Sequence, residues 1–133
     1  MSIVHSETIP VVSEPDMVVV RRRVREASGQ AGLSLVDQTK LVTAASELAR
    51  NTLIYGGGGT MQLESLNGPR TGVRLIFVDK GPGIPDLELA LRDGYTTGTG
   101  LGLGLGGSKR LVNEFEIESK PGEGTRVAVT RWK

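Results

Sequence analysis

The run Val73-Arg74-Leu75-Ile76-Phe77-Val78-Asp79-Lys80-Gly81-Pro82-Gly83 is where the architecture of the chain first becomes readable. Its apolar and β-branched residues from Val73 to Asp79 predict a strand, and Asp79-Lys80-Gly81-Pro82-Gly83 stops that strand abruptly. A carboxylate at a strand end can accept a hydrogen bond from an exocyclic amine such as that of adenine. The glycines that follow it, Gly81 and Gly83, would let the backbone pass beneath a flat base. Taken alone, the run is equally an ordinary strand-ending turn.

Working outward from it, a second strand over residues 60–66 precedes it, joined by a turn at Asn67-Gly68-Pro69. Before that, Ser34 and Asp37 have the spacing of a helix N-cap. The helix behind them is expected over residues 36–55, with Leu41, Ala45, Leu48 and Thr52 as its inward stripe and Gly56 to Gly59 ending it. An earlier helix is capped by Ser13 with Asp16. It carries Met17, Val20, Val24 and Ala27 at three- and four-residue spacings and runs to Gly29 or Gly32. Residues 5–12 predict a first strand. On the C-terminal side, a short helix is expected over 86–92, a glycine-rich loop over 94–104 and a helix over 106–114. A strand over 115–119 and a last strand over 125–132 follow, the last with Val127 and Val129 on one face and Arg126 and Thr130 on the other. Paired strands joined by tight turns, with helices gathered to one side, predict a two-layer α/β (α+β) sandwich with a mixed, mostly antiparallel sheet. The strict βαβ alternation of a Rossmann fold is absent.

At 133 residues the chain is expected to form a single domain spanning residues 1–133. A net charge of +1 gives no strong positive field for a nucleic acid. With no cysteine there is no disulfide framework or thiolate metal site. His5 is the one histidine, which excludes a Ser-His-Asp triad. No apolar run is long enough to span a bilayer, and no secretory signal opens the chain, so a cytoplasmic protein with no membrane partner is expected.

Three further constellations carry chemistry. In Ser46-Glu47-Leu48-Ala49-Arg50-Asn51, Glu47 and Asn51 stand four apart and share a helix face. A carboxylate and an amide so placed can poise a hydroxyl and hold Mg²⁺, although such pairs are more often solvated. Six of the 19 glycines fall between Gly98 and Gly107, in a loop that opens a helix. Its backbone N–H groups could cradle an anion, yet it is neither a Walker A loop nor a dinucleotide fingerprint in context. Finally, Gly122-Glu123-Gly124-Thr125 enters the last strand, where the Thr125 hydroxyl could fix a water or a ring nitrogen.

In order and placement these four stretches resemble the nucleotide-binding boxes of the Bergerat-fold (GHKL) ATPase-kinase superfamily over nearly the whole chain. Within it the sequence is most similar to the RsbT-type serine/threonine kinases of bacterial partner-switching (stressosome) systems. The resemblance implies ATP and Mg²⁺ as cofactors, Glu47 as general base and Asn51 as a Mg²⁺ ligand. It implies Asp79 as the anchor of the adenine amino group with Gly81 and Gly83 beside the base. It further implies Gly100, Gly102 and Gly104 around the phosphates, Thr125 reading adenine, and Arg21 facing a partner protein. The implied substrate is a serine or threonine of a STAS-domain antagonist protein, and activation of a PP2C-type phosphatase by binding is a companion role. The loop departs from the family pattern in its extra glycines and in Leu101, where histidine kinases commonly carry threonine. Rival readings are an anti-sigma factor with kinase activity, a histidine-kinase catalytic domain, and a non-catalytic ATP-sensing module.

Overall fold

The structure, a computed structural model, describes residues 2–84 and 105–133. Strand β1 (Ser2–Val11) leads into helix α1 (Glu14–Gln30) and helix α2 (Leu35–Arg50). A single π-helical turn, Asn51–Tyr55, continues α2. Then come β2 (Gly59–Asn67), β3 (Gly72–Asp79), the short helix α3 (Leu105–Arg110), β4 (Glu114–Lys120) and β5 (Gly124–Trp132). The expected short helix over 86–92 and the glycine-rich loop over 94–104 lie outside the described residues.

Both predicted caps are used. The Asp16 carboxylate accepts the Ser13 N–H at 3.1 Å, and Ser34 Oγ accepts the Asp37 N–H at 3.1 Å. Each satisfies a donor that the first helical turn leaves without a partner. The two helices pack on each other and on one face of a five-stranded sheet of order β1-β2-β3-β5-β4. Every pairing is antiparallel among the described residues. The expected two-layer sandwich is therefore observed, without a parallel pair in the described part of the sheet.

The core lies between the layers. Ile9 and Val11, Met61 and Leu63, Val73, Leu75 and Phe77, and Val127 and Val129 face inward from four strands. Met17, Val20, Val24 and Ala27 meet them from α1, and Leu41, Ala45 and Leu48 from α2. Those on α1, α2 and β5 are the predicted stripes, and a period near 3.6 on the helices and of 2 on the strands gathers all of them onto facing surfaces. The opposite sheet face is polar, with Glu64 paired across the β2–β3 register to Arg74 at 2.6 Å. Leu75, fully buried in the central strand, has no room to relax. Leu75→Ala is expected to cost about 2–5 kcal/mol, read as a fall in the urea midpoint with an unchanged slope.

Three boundaries differ from the sequence reading. The expected helix over 36–55 is α-helical only to Arg50, and the remainder is the π turn. The helix expected over 106–114 stops at Arg110. There the Asn113 N–H bonds the Thr130 carbonyl at 2.9 Å and its side-chain oxygen accepts the Trp132 N–H at 2.7 Å. A β-branched Val112 followed by an asparagine that satisfies the sheet instead favours the strand over another helical turn. The first strand begins at Ser2 rather than at residue 5, since its pairing with β2 continues past a bulge between Ile3 and His5.

Candidate functional site

At one end of the sheet, β3 finishes on Asp79, which stands opposite both Gly59 of β2 and Thr125 of β5. The C-terminal end of α2 and the π turn lie over this point. The result is a cleft lined by Leu48, Asn51, Tyr55, Asp79, Ile84 and Thr125, with Phe77, Leu105 and Val127 at its apolar back. The four predicted stretches thus contribute unequally. Asn51, Asp79 and Thr125 meet around one cleft, with Gly81 and Gly83 on the adjoining loop. Glu47 is exposed, one helical turn before Asn51 on α2, and does not line the cleft. Gly100, Gly102 and Gly104 lie outside the described residues. Arg21 sits half-buried on α1, away from the cleft walls, and its side chain makes no hydrogen bond or ion pair among the described residues.

Asp79 is half-buried, and its Oδ1 accepts the Gly81 N–H at 2.9 Å. Loss of hydration pushes its carboxyl above the usual aspartate value, opposed by hydrogen bonds from the backbone of Gly81 and Thr125. Such a group, wedged at a cleft and only partly satisfied by the protein, is a natural acceptor for a ligand donor.

Gly56, which the sequence reading treated only as the end of a helix, is part of this arrangement. A Cβ built on Gly56 would lie 2.6 Å from Asp79 Cβ, and one on Gly81 would lie 2.7 Å from Gly56 Cα. Neither fits, so the carboxylate rests on bare backbone from both glycines. Gly56→Ala is expected to push Asp79 out of line, with a loss of stability of about 1–3 kcal/mol. Thermal unfolding would register it, and a variant as stable as the parent would overturn this account of the packing.

The loop after Asp79 is tied down from three directions. The Tyr55 hydroxyl donates to the Gly83 carbonyl at 3.1 Å, the Gly122 N–H to the Pro82 carbonyl at 2.7 Å, and the Ile84 N–H to Ser119 Oγ at 2.8 Å. Gly83 has φ +77°, and a Cβ there would strike the Lys120 carbonyl, so only glycine serves. Tyr55 and Ser119 were missed by the sequence reading. Tyr55 carried a signal in its position four residues beyond Asn51, whereas nothing near Ser119 in the chain points to its bond with the distant Ile84 N–H.

The described walls enclose only about 20 Å³, room for one water molecule. Among the described residues no group of three or more His, Asp or Glu side chains could hold a metal ion. Nor is any helix among them long and apolar enough to cross a membrane.

A two-layer sandwich whose cleft sits between the end of its second helix and an Asp-x-Gly-x-Gly strand end is the architecture of an ATP-binding fold, and comparison with known proteins identifies which. Residues 36–133 match the histidine kinase-, DNA gyrase B-, and HSP90-like ATPase family, and the chain belongs to that family. It is 40% identical over 125 residues to the serine/threonine-protein kinase RsbT of Bacillus subtilis (strain 168), covering 93% of this chain and 94% of that protein. It is 27% identical over 121 residues to an anti-sigma F factor of Thermoanaerobacter sp. (strain X514), covering 84% and 82%. The mycobacterial sensor histidine kinase MprB superposes with a TM-score of 0.54 over 96% of this chain and 97% of that one. At 17% identity that likeness is one of fold. The family match begins at the start of α2, and the alignment to RsbT extends over 93% of this chain.

Proposed function

We propose that this chain is a cytoplasmic serine/threonine-protein kinase of a bacterial partner-switching pathway, one ATPase-kinase domain over residues 1–133. Its reaction is transfer of the γ-phosphoryl group of ATP to a serine or threonine of a STAS-domain antagonist protein, giving ADP and a phosphoprotein. The observation that carries this reading is the 40% identity to a serine/threonine-protein kinase along almost the full length of both chains. The cleft supports it, since Asn51, Asp79 and Thr125 converge there.

In this reading Asp79 accepts the adenine amino group, Gly81 and Gly83 pass beside the base, and Thr125 reads a ring nitrogen. Gly100, Gly102 and Gly104 wrap the phosphates. Asn51 suits Mg²⁺, which commonly takes one or two protein oxygens and completes its shell with phosphate oxygens and water. Bound there, Mg²⁺ would neutralise charge on the β- and γ-phosphates. Glu47, exposed beside Asn51, would accept the proton of the incoming hydroxyl. Its exposure suits a substrate that is itself a folded protein approaching from outside. Arg21 is assigned to the partner-facing side of α1, and binding to a PP2C-type phosphatase is a companion role.

The test is incubation with γ-labelled ATP, Mg²⁺ and STAS-domain proteins of the same organism. Label on serine or threonine of one of them supports the reading, and ATP binding without transfer to any would overturn it in favour of an ATP-sensing module. The similarity to an anti-sigma F factor favours one further role, capture of a sigma factor. A pull-down with sigma factors, with and without ATP, decides it.

A further inference from the structure

We propose that Ser119 is a positioning residue of the cleft, anchoring the Thr125 hydroxyl and the Ile84 wall together so that both meet a bound purine in fixed orientation. The inference rests on the ATP-binding reading above and adds a residue to it. Ser119 lies near the end of β4, directly opposite Thr125 in the β4–β5 register. Its hydroxyl meets three groups. It accepts the Ile84 N–H at 2.8 Å, donates to the Gly124 carbonyl at 3.1 Å, and lies 2.8 Å from Thr125 Oγ1.

A serine hydroxyl has one proton and two lone pairs. Ile84 occupies one lone pair. When the proton goes to Gly124, the Thr125 hydroxyl donates to Ser119 and turns only lone pairs toward the cleft. When the proton goes to Thr125 instead, the threonine proton is released for the ligand and the Gly124 carbonyl gives up one bond. Either way Thr125 Oγ1 stays anchored on Ser119, and its remaining valence points away from that anchor. Thr125 and Ile84 both line the cleft, on strand β5 and on the loop after β3. One hydroxyl therefore holds two walls that come from distant parts of the chain. The exchange between its two proton arrangements lets Thr125 answer a ring nitrogen or a bridging water without moving.

Removing the hydroxyl frees the rotation of Thr125 and leaves the Ile84 N–H without its acceptor, a loss felt in binding rather than in chemistry. Ser119→Ala is expected to raise Kd and KM for ATP about 10-fold, with kcat at saturating ATP unchanged. Ser119→Thr, which keeps the hydroxyl, should return to within about threefold of the parent. A double-mutant cycle gives the discriminating readout. Because Ser119 acts through Thr125 as well as Ile84, Ser119→Ala costs clearly less once Thr125→Ala is present, with only the Ile84 part remaining, whereas a merely structural serine gives fully additive losses. Ser119→Cys, near in volume and with only a weak S–H donor, carries the same test should the alanine variant not fold. Unchanged ATP affinity in the folded variants, or additivity in the cycle, would overturn the proposal. ATP binding by the parent protein, and its loss in Asp79→Asn, separates failure of this inference from failure of the ATP-binding reading itself.

Discussion

Asp79→Asn is expected to weaken ATP binding by about 100-fold or more while leaving the protein folded. The reason is directional. The carboxylate already accepts backbone N–H groups of Gly81 and Thr125. An asparagine must keep its single oxygen on those donors, because turning its NH₂ toward them would set donor against donor. The NH₂ would then face the cleft, where an adenine amino group also arrives as a donor. A buried donor left without an acceptor costs roughly 1–3 kcal/mol, and here both partners lose theirs. Titration calorimetry with ATP reads the effect, and a Kd within threefold of the parent would sink the assignment of Asp79 to the adenine amine. The direction of the Asp79 pKa adds a second signature. Its folded value is raised by burial, so the folded protein holds the proton more readily than the unfolded chain does. Ionising it costs folding stability, a cost absent below the unfolded value and complete above the folded one. At neutral pH the asparagine variant should therefore be as thermostable as the parent, or more so. ATP affinity of the parent should fall as pH drops through the raised value, and the variant should show no such step.

Glu47→Ala is expected to have the opposite profile, with ATP affinity unchanged and phosphoryl transfer reduced by about 10²–10⁴, the range typical of a lost general base. Glu47 does not line the cleft and is exposed, so nothing in ground-state nucleotide binding should depend on it. Its position one turn before Asn51 puts it beside the residue assigned to Mg²⁺, on the side open to a protein substrate. Single-turnover transfer to a STAS-domain protein, measured beside ATP binding, separates the two quantities. Transfer within fivefold of the parent would show that another group, or solvent, takes the hydroxyl proton.

How much of this was legible in the sequence depended on whether the signal was local. Ser13 with Asp16 and Ser34 with Asp37 announce helix starts because the capping partners are three residues apart. The stripes of α1 and α2 and the alternation of β5 announced the core for a similar reason. Asp79 could be singled out because a carboxylate before Gly-x-Gly at a strand end is rare outside turns and ligand sites. Helix ends fared worse. Arg110 ends α3 because Asn113 is claimed by Thr130 and Trp132 on β5, a competition that no window around residue 110 contains. Ser119 and Gly56 were hidden for the same reason. Each does its work against residues that the chain meets only after folding, Ile84 and Thr125 for one, Asp79 and Gly81 for the other.

The π turn at Asn51–Tyr55, closed by the Gly56 N–H on the Asn51 carbonyl at 2.9 Å, bears on which changes of chain length the protein can survive. A π turn is an α-helix with one residue too many, and one residue corresponds to roughly 100° of helical rotation. Closing this turn into a regular helix with all its residues kept would swing Tyr55 and Gly56 about that far around the axis, taking one off Gly83 and the other off Asp79. The gap between Asn51 and the start of β2 should thus be intolerant of a single-residue insertion, whereas deleting the exposed Ile54 lets the Gly56 N–H close on the Asn51 carbonyl as an ordinary α-helical bond and should be the milder change. The exposed turn at Asn67-Gly68-Pro69, at the far end of the sheet, has no such dependence and should accept an added residue.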